Sequence, residues 1–372
     1  MSDWLLGTRR HRPSSFSRTA LLVYVLLIIY ASLYPFSWSP KPEYPFAYLL
    51  EPSPRYWTWF DILTNVAGYI PLGVLMVAAL SPAVRGATAC LLSVLAGIAL
   101  SLTMETTQVY LPGRVPSRLD LLTNAGGSLA GALMGMVLTP LLLHGDRAHR
   151  LLQRWLRSSS SRVLIVPMLW LVAQLYPQNY LFGHGQVLST LSGWIPSLPT
   201  RATFIRAGTH LSVEQYWLSE TIITASGMVG GVLVFLYVLD KSAPRLLLAI
   251  LLLLSALSVK VLACALLYTP GNALVWLTPG AAGGMLVGLL MLSGLVFTHS
   301  AVQRRIGIFL LLGSLFLVNT LPDNQYFLST LQTWSQGKFL NFNGMTRFVA
   351  SIWPFVALGF LFLSVYNTRH HQ

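Results

Sequence analysis

Ten apolar runs, beginning near residues 19, 61, 87, 120, 163, 217, 246, 279, 306 and 347, follow one another along the chain. Runs of this kind approach the ~20 residues that a helix needs to cross a hydrocarbon core. In lipid, a backbone must satisfy its own N–H and C=O groups, and an isolated apolar segment does so only as a helix. The sequence therefore predicts an all-α, polytopic transmembrane bundle of about ten spans. Composition agrees, with 54% of residues hydrophobic and only 9% charged. The N-terminal stretch MSDWLLGTRRHRPSSFSR is basic, and the apolar run behind it continues into YPFSWSP with no small-residue cleavage site, so an uncleaved first span is expected.

The net charge of +13 lies in short stretches between apolar runs rather than in one patch. It reads as a topology signal and predicts no nucleic-acid partner. With both termini in the cytoplasm, fifteen Lys and Arg fall inside and eight outside, and Lys260 sits within the seventh run. That asymmetry favours cytoplasmic termini. It also divides the chain into a first domain of four spans over residues 1–143, a basic linker over 144–162 and a second domain of six spans over 163–372. The linker, HGDRAHRLLQRWLRSSSSR, combines basic charge with Leu and Trp, which suits either an anionic lipid surface or a solvated connection. Cys90 and Cys264 fall inside apolar runs, where a thiol needs no special role.

Within this pattern, DILTNVAG from Asp61 is nearly repeated as DLLTNAGG from Asp120. Both copies open runs of the same expected direction, so the second and fourth spans are parallel, and each Asn (Asn65, Asn124) lies one turn beyond its Asp. The third span runs the other way and ends in LSLTMETTQVYLPGR, with Glu105 roughly 10 Å from the break at Pro112 and Gln108 one turn further along. Three carboxylates and three amides thus reach one face of the membrane, and the short PGRVPSR connection brings Arg114 and Arg118 there too.

Two readings of these residues compete. An Asp at a helix start is a favoured N-cap, and arginines beside acids form structural ion pairs. Against that, an acid inside a span costs a few kcal/mol, and such residues pair or mark a functional pathway. Asp61, Glu105 and Asp120 are the candidates for acid–base chemistry. Those three, with Asn65, Gln108, Arg114, Arg118 and Asn124, form the candidate ligand site. The acids suit an amine or cation, the arginines phosphate or carboxylate, and the amides sugar or peptide groups.

From Asp61 to Gly135 the pattern D-x-x-x-N-x-x-G-x-x-P-L-G, then E-x-x-Q, then a short Arg-bearing loop and D-x-x-x-N-x-x-G resembles the VanZ-like family, named for a membrane protein associated with low-level teicoplanin resistance. By that resemblance Asp61, Asn65, Gly68, Pro71, Gly73, Glu105, Gln108, Arg114, Asp120, Asn124 and Gly131 stand at motif positions. Ser117 departs from the pattern, because many members carry another acid there, and it leaves fewer carboxylates for a metal. The resemblance implies a multi-pass protein of the bacterial inner membrane acting on the cell envelope. It covers roughly the first 140 residues.

The second half offers weaker signals. One outer connection, residues 177–216, holds Arg201, Arg206, His210 and Glu214, and the sixth run begins near Glu220. A second, PDNQYFLSTLQTWSQGKFLNFNGMTR, is rich in amides and aromatics, as interfacial anchors are. Lys260 is expected either to snorkel or to pair with Glu220. TASG at residues 224–227 lacks the first Gly of a membrane serine-protease motif. No phosphate loop, dinucleotide fingerprint or zinc-ligand spacing appears, so neither a cofactor nor a metal is expected. The expected role is recognition or handling of an envelope ligand at the outer face, with membrane lipids and a lipid-linked cell-wall or polysaccharide intermediate as partners. A membrane enzyme using Glu105 or an Asp as general base, and a transporter, are the alternatives. Reporter fusions check the sidedness: those after Asp146 and Lys241 are expected to report cytoplasm, and those after Pro112 and Gly193 periplasm. A cytoplasmic signal at Pro112 would put the acids on the wrong side.

Overall fold

The computed structural model describes residues 15–34, 36–39, 44–50, 59–112, 114–140, 154–157, 161–188, 212–267, 273–321 and 340–369. Among them are ten α-helices: α1 (Ser15–Leu33), α2 (Trp59–Leu80), α3 (Gly86–Gln108), α4 (Arg118–Thr139), α5 (Ile165–Ala173), α6 (Val213–Val238), α7 (Arg245–Leu267), α8 (Pro279–Leu295), α9 (Ser300–Thr320) and α10 (Leu340–Arg369). Each begins within seven residues of the start of an expected run. Eight are long and apolar enough to cross a membrane, and two are not: the apolar helix over Arg162–Ala173, which contains α5, and α8. The ten expected runs are thus ten helices, eight of them of full spanning length among the described residues. The fifth run loses its helix at the polar stretch Gln174, Pro177, Gln178 and Asn179, and the eighth is bounded by the Thr278 cap on one side and Thr298 on the other. Most of the basic linker, the stretch 189–211 and the connection 322–339 lie outside the described residues.

The chain divides into two compact units, Met1–Gln153 with Ser159–Arg162, and Arg154–Ser158 with Val163–Gln372. In the first, α2 and α4 form the closest pair, and glycine is the reason. Gly127, Gly131 and Gly135 recur every fourth residue along one face of α4. A Cβ on Gly127 or Gly131 would run into the backbone carbonyl of Val66 or Ile70, and one on Gly135 would lie 3.1 Å from Val74 Cα. From the other side, Gly73 of α2 meets the Ser128 carbonyl. Contact positions rise together on the two helices, so they run parallel, as the repeat predicted. Small residues let membrane helices approach closely where no hydrophobic effect drives them together. The outer side of α4 carries Leu122, Leu129, Leu133 and Val137, exposed as lipid-facing side chains are. Helix α3 joins through Ala89, packed with Val77 and Ala132, and α1 through Ile28, packed with Tyr69 and Leu72.

In the second unit α6 is central, buried along most of its length and flanked by α5, α7, α8 and α9. Its pairing with α8 uses the same device. Gly280, Gly284 and Gly288 face Glu220, Thr224 and Met228, again in parallel and again at a spacing of four.

Alanine at two neighbouring glycines of α4 checks this packing. Gly131→Ala is expected to destabilise the purified protein by about 1–3 kcal/mol, because its methyl meets backbone that cannot move aside. Gly126→Ala, whose methyl would meet nothing within 4 Å, should be neutral or stabilising. Thermal unfolding in detergent compares them.

Candidate functional site

The close approach of α2 and α4 sets the geometry at their N-terminal ends. Asn65 Nδ2 donates to Asp120 Oδ1 at 2.7 Å, so the amide of the first repeat serves the acid of the second. Asp61, exposed at the start of α2, lies near enough to Asp120 for their charges to interact. Asn124, the amide of the second repeat, turns instead to α3 and donates to Ser101 Oγ at 2.9 Å. Tyr69 of α2 hydrogen-bonds the same Ser101 side chain. Asn124 Oδ1 and Ser128 Oγ are buried and have no hydrogen-bond partner among the described residues.

Glu105 is 4% exposed. Its Oε2 accepts the backbone N–H of Ser117 at 3.0 Å, and both Asp120 and Arg114 lie close enough to act on it electrostatically. Tyr48, in a short 3-10 turn after α1, donates to or accepts from Thr106 Oγ1 at 3.1 Å. Burial pushes the Tyr48 phenol up, and the charge of Glu105 adds to the effect.

Ser117 has a second task. Its Oγ accepts from Leu119 N at 3.0 Å and Asp120 N at 3.4 Å, which makes Ser117 the N-cap of α4. The capping role weighed for Asp120 therefore falls to Ser117, and Asp120 sits at the third helical position with its carboxylate directed to Asn65. The departure from the family pattern at Ser117 is thus a helix cap. The signal was present in the sequence, since Ser117-x-x-Asp120 has the spacing of a capping box and Thr58-x-x-Asp61 repeats it.

The remaining candidates separate. Gln108 Nε2 donates to Ser32 O at 3.0 Å, and Arg114 donates to Ala31 O at 3.2 Å and to Tyr34 O. Both thereby satisfy terminal carbonyls of α1, which have no partner within their own helix. Burial pushes the Arg114 guanidinium down to about 10, with Glu105 opposing, so it remains a cation at neutral pH. Arg118 is exposed on the first turn of α4. One end of the α2–α3–α4 bundle thus gathers Asp61, Asn65, Glu105, Asp120, Asn124 and Arg114, joined by Ser117 and by Ser101 and Tyr69, the last two of which sequence reasoning passed over. Among the described residues, no three His, Cys, Asp or Glu side chains come together closely enough to hold a metal ion. In the second unit Lys260 Nζ donates to Tyr176 O at 2.9 Å, and Glu220 Oε1 accepts from Thr278 Oγ1 at 2.6 Å.

Eight long apolar helices and a polar cluster at the ends of three of them define a multi-pass membrane protein. Within it, residues 21–141 match the family model described as VanZ/LLP1, which covers most of α1, all of α2 to α4 and every residue of the cluster. Neither the curated proteins nor the solved structures contain a match to the chain.

The bond between Asn65 and Asp120 links the two repeats and can be measured. In a double-mutant cycle of Asn65→Ala and Asp120→Ala, the two losses of stability should be non-additive, with a coupling of about 0.5–3 kcal/mol. Additive losses in thermal unfolding would mean that the two side chains act independently.

Proposed function

We propose that the N-terminal unit recognises a cell-envelope ligand at the extracytoplasmic face of a bacterial cytoplasmic membrane, and that the ligand is a lipid-linked cell-wall or polysaccharide intermediate. The buried Glu105, set beside Asp120 at one end of three helices, carries the reading. A buried acid in a membrane helix is costly to keep, and this one has only a backbone N–H for a direct partner among the described hydrogen bonds. The open acceptor on Asn124 adds to it, because a buried polar atom without a protein partner calls for one from outside. The surplus is in acceptors, which matches the ammonium, hydroxyl and amide donors of a sugar–peptide headgroup. The exposed Arg118 supplies charge for a phosphate at the rim.

The outward placement follows the fifteen-to-eight distribution of basic residues. Resemblance to the VanZ-like family directs attention to glycopeptide susceptibility, and teicoplanin is the antibiotic to use first.

Glu105→Gln tests the reading. The amide oxygen still accepts from Ser117 N–H, so the fold is expected to hold while the charge is lost. Protein level and melting temperature should stay near those of the wild type while the teicoplanin or envelope-integrity phenotype disappears. A variant that vanishes from the membrane would show Glu105 to be mainly structural, because removing one charge of a buried set strands its partners.

A further inference from the structure

The second unit holds an arrangement that the reading above does not use. Helix α5 ends at Ala173, and the chain then turns through residues 174–187 without regular helix while staying inside the unit. Asn179, Tyr180, Leu181, Phe182 and His184 are all buried. Phe182 has a φ of 58°, a conformation that a residue with a Cβ keeps only where the surroundings enforce it, and Gly185 has one of 88°, which glycine adopts freely. The enforcement is visible. Gly185 N donates to Ala350 O at 3.0 Å, and Asn319 donates to Gly185 O at 2.8 Å while accepting from Val187 N and Leu188 N. Irregular backbone within a membrane bundle is tolerated where protein covers it or where it lines a site.

At the start of this segment oxygen acceptors outnumber donors. Gln174, with no exposed surface, donates through Nε2 to Trp170 O and to His184 Nε2, both at 3.0 Å. His184 Nδ1 lies 2.9 Å from Phe182 O. A carbonyl beside Nδ1 requires Nδ1–H, and an amide N–H beside Nε2 requires a lone pair there, so His184 is held neutral. Gln178 Nε2 donates to Ala173 O at 2.9 Å. With both amide nitrogens committed, Gln174 Oε1 and Gln178 Oε1 are buried without a donor. Between them in sequence is the carbonyl of Tyr176, and to it Lys260 of α7, 2% exposed, donates at 2.9 Å. Among the described residues, His184 and Cys264 lie close enough to Lys260 to interact with it electrostatically.

We propose that residues 174–178, at the C-terminal end of the short helix α5, form a site for a small monovalent cation, and that the Lys260 ammonium is the cation the chain itself places there. The end of a helix carries partial negative charge on its free carbonyls. In broken membrane helices such carbonyls, with nearby side-chain oxygens, coordinate sodium or a proton-bearing group. Here Tyr176 O accepts from Lys260, which comes from a neighbouring helix, and Gln174 Oε1 and Gln178 Oε1 are two further buried oxygens on the same short segment that no donor satisfies. An external alkali or alkylammonium ion is expected to take this position once the lysine is removed. Among the described residues, the two short apolar helices both lie in this unit, as in membrane proteins whose ion sites are built at helix breaks.

The test uses the full-length protein in detergent, unfolded by heat in chloride salts of sodium, potassium or methylammonium, with N-methylglucamine at matched ionic strength as reference. Lys260→Ala is expected to lower the melting temperature in the reference salt. At least one of the three small cations should then restore half or more of the loss in a saturable manner, while the wild type does not respond. Lys260→Met, which fills the space without charge, should lose stability and remain unresponsive. A Lys260→Ala protein as stable as the wild type, or one whose loss no cation reverses, would overturn the proposal, as would a Lys260→Met protein that responds equally. A charge pair that keeps Lys260 covers the case in which Lys260→Ala does not accumulate. Gln178→Asp should melt above Gln178→Lys, and equal or reversed stabilities would also overturn the site.

Discussion

The contact between α2 and α4 governs the first unit. Two parallel helices cannot share a polar cluster unless their backbones come close, and four-residue glycine spacing makes that possible. Gly127 and Gly131 of α4 place no atoms between the helices, so the carbonyls of Val66 and Ile70 take the space. Asn65 then spans the remaining gap to Asp120 at 2.7 Å. Without this approach the two copies of the repeat would be separate helix starts. With it they form one surface, and α3 supplies Glu105 from the opposite direction. Because lipid offers no substitute for a lost hydrogen bond, the amide–acid bond and the glycine packing support each other.

The polar groups divide between holding and leaving open. Arg114 and Gln108 hold, tying the connection after α3 to the end of α1. Ser117 holds twice, through its backbone to Glu105 and through its side chain to the first turn of α4. Asn124 is half committed, with its nitrogen on Ser101 and its oxygen open. The second unit repeats the glycine device between α6 and α8, and there too it brings in an acid, since Glu220 faces Gly280 and accepts from Thr278 Oγ1.

Several features were legible in the sequence because they depend on composition and short spacing. Apolar runs report the solvent directly, so the helices and their approximate starts could be read from them. The parallel relation of α2 and α4 followed from the repeat, and the placement of Asp61, Glu105 and Asp120 at one end followed from the alternating direction of successive spans. Tertiary structure decided which side chains meet. Apolar runs carry little polarity around the helix axis, so they do not say which face turns inward, and α4 turns its smallest residues inward and its leucines outward. Asn65 accordingly serves the acid of the other helix rather than Asp61, one turn away on its own. The break after Ala173 and the reach of Lys260 to Tyr176 O were equally hidden, because a buried lysine is satisfied by whichever carbonyl a distant segment presents, and no local pattern encodes that meeting.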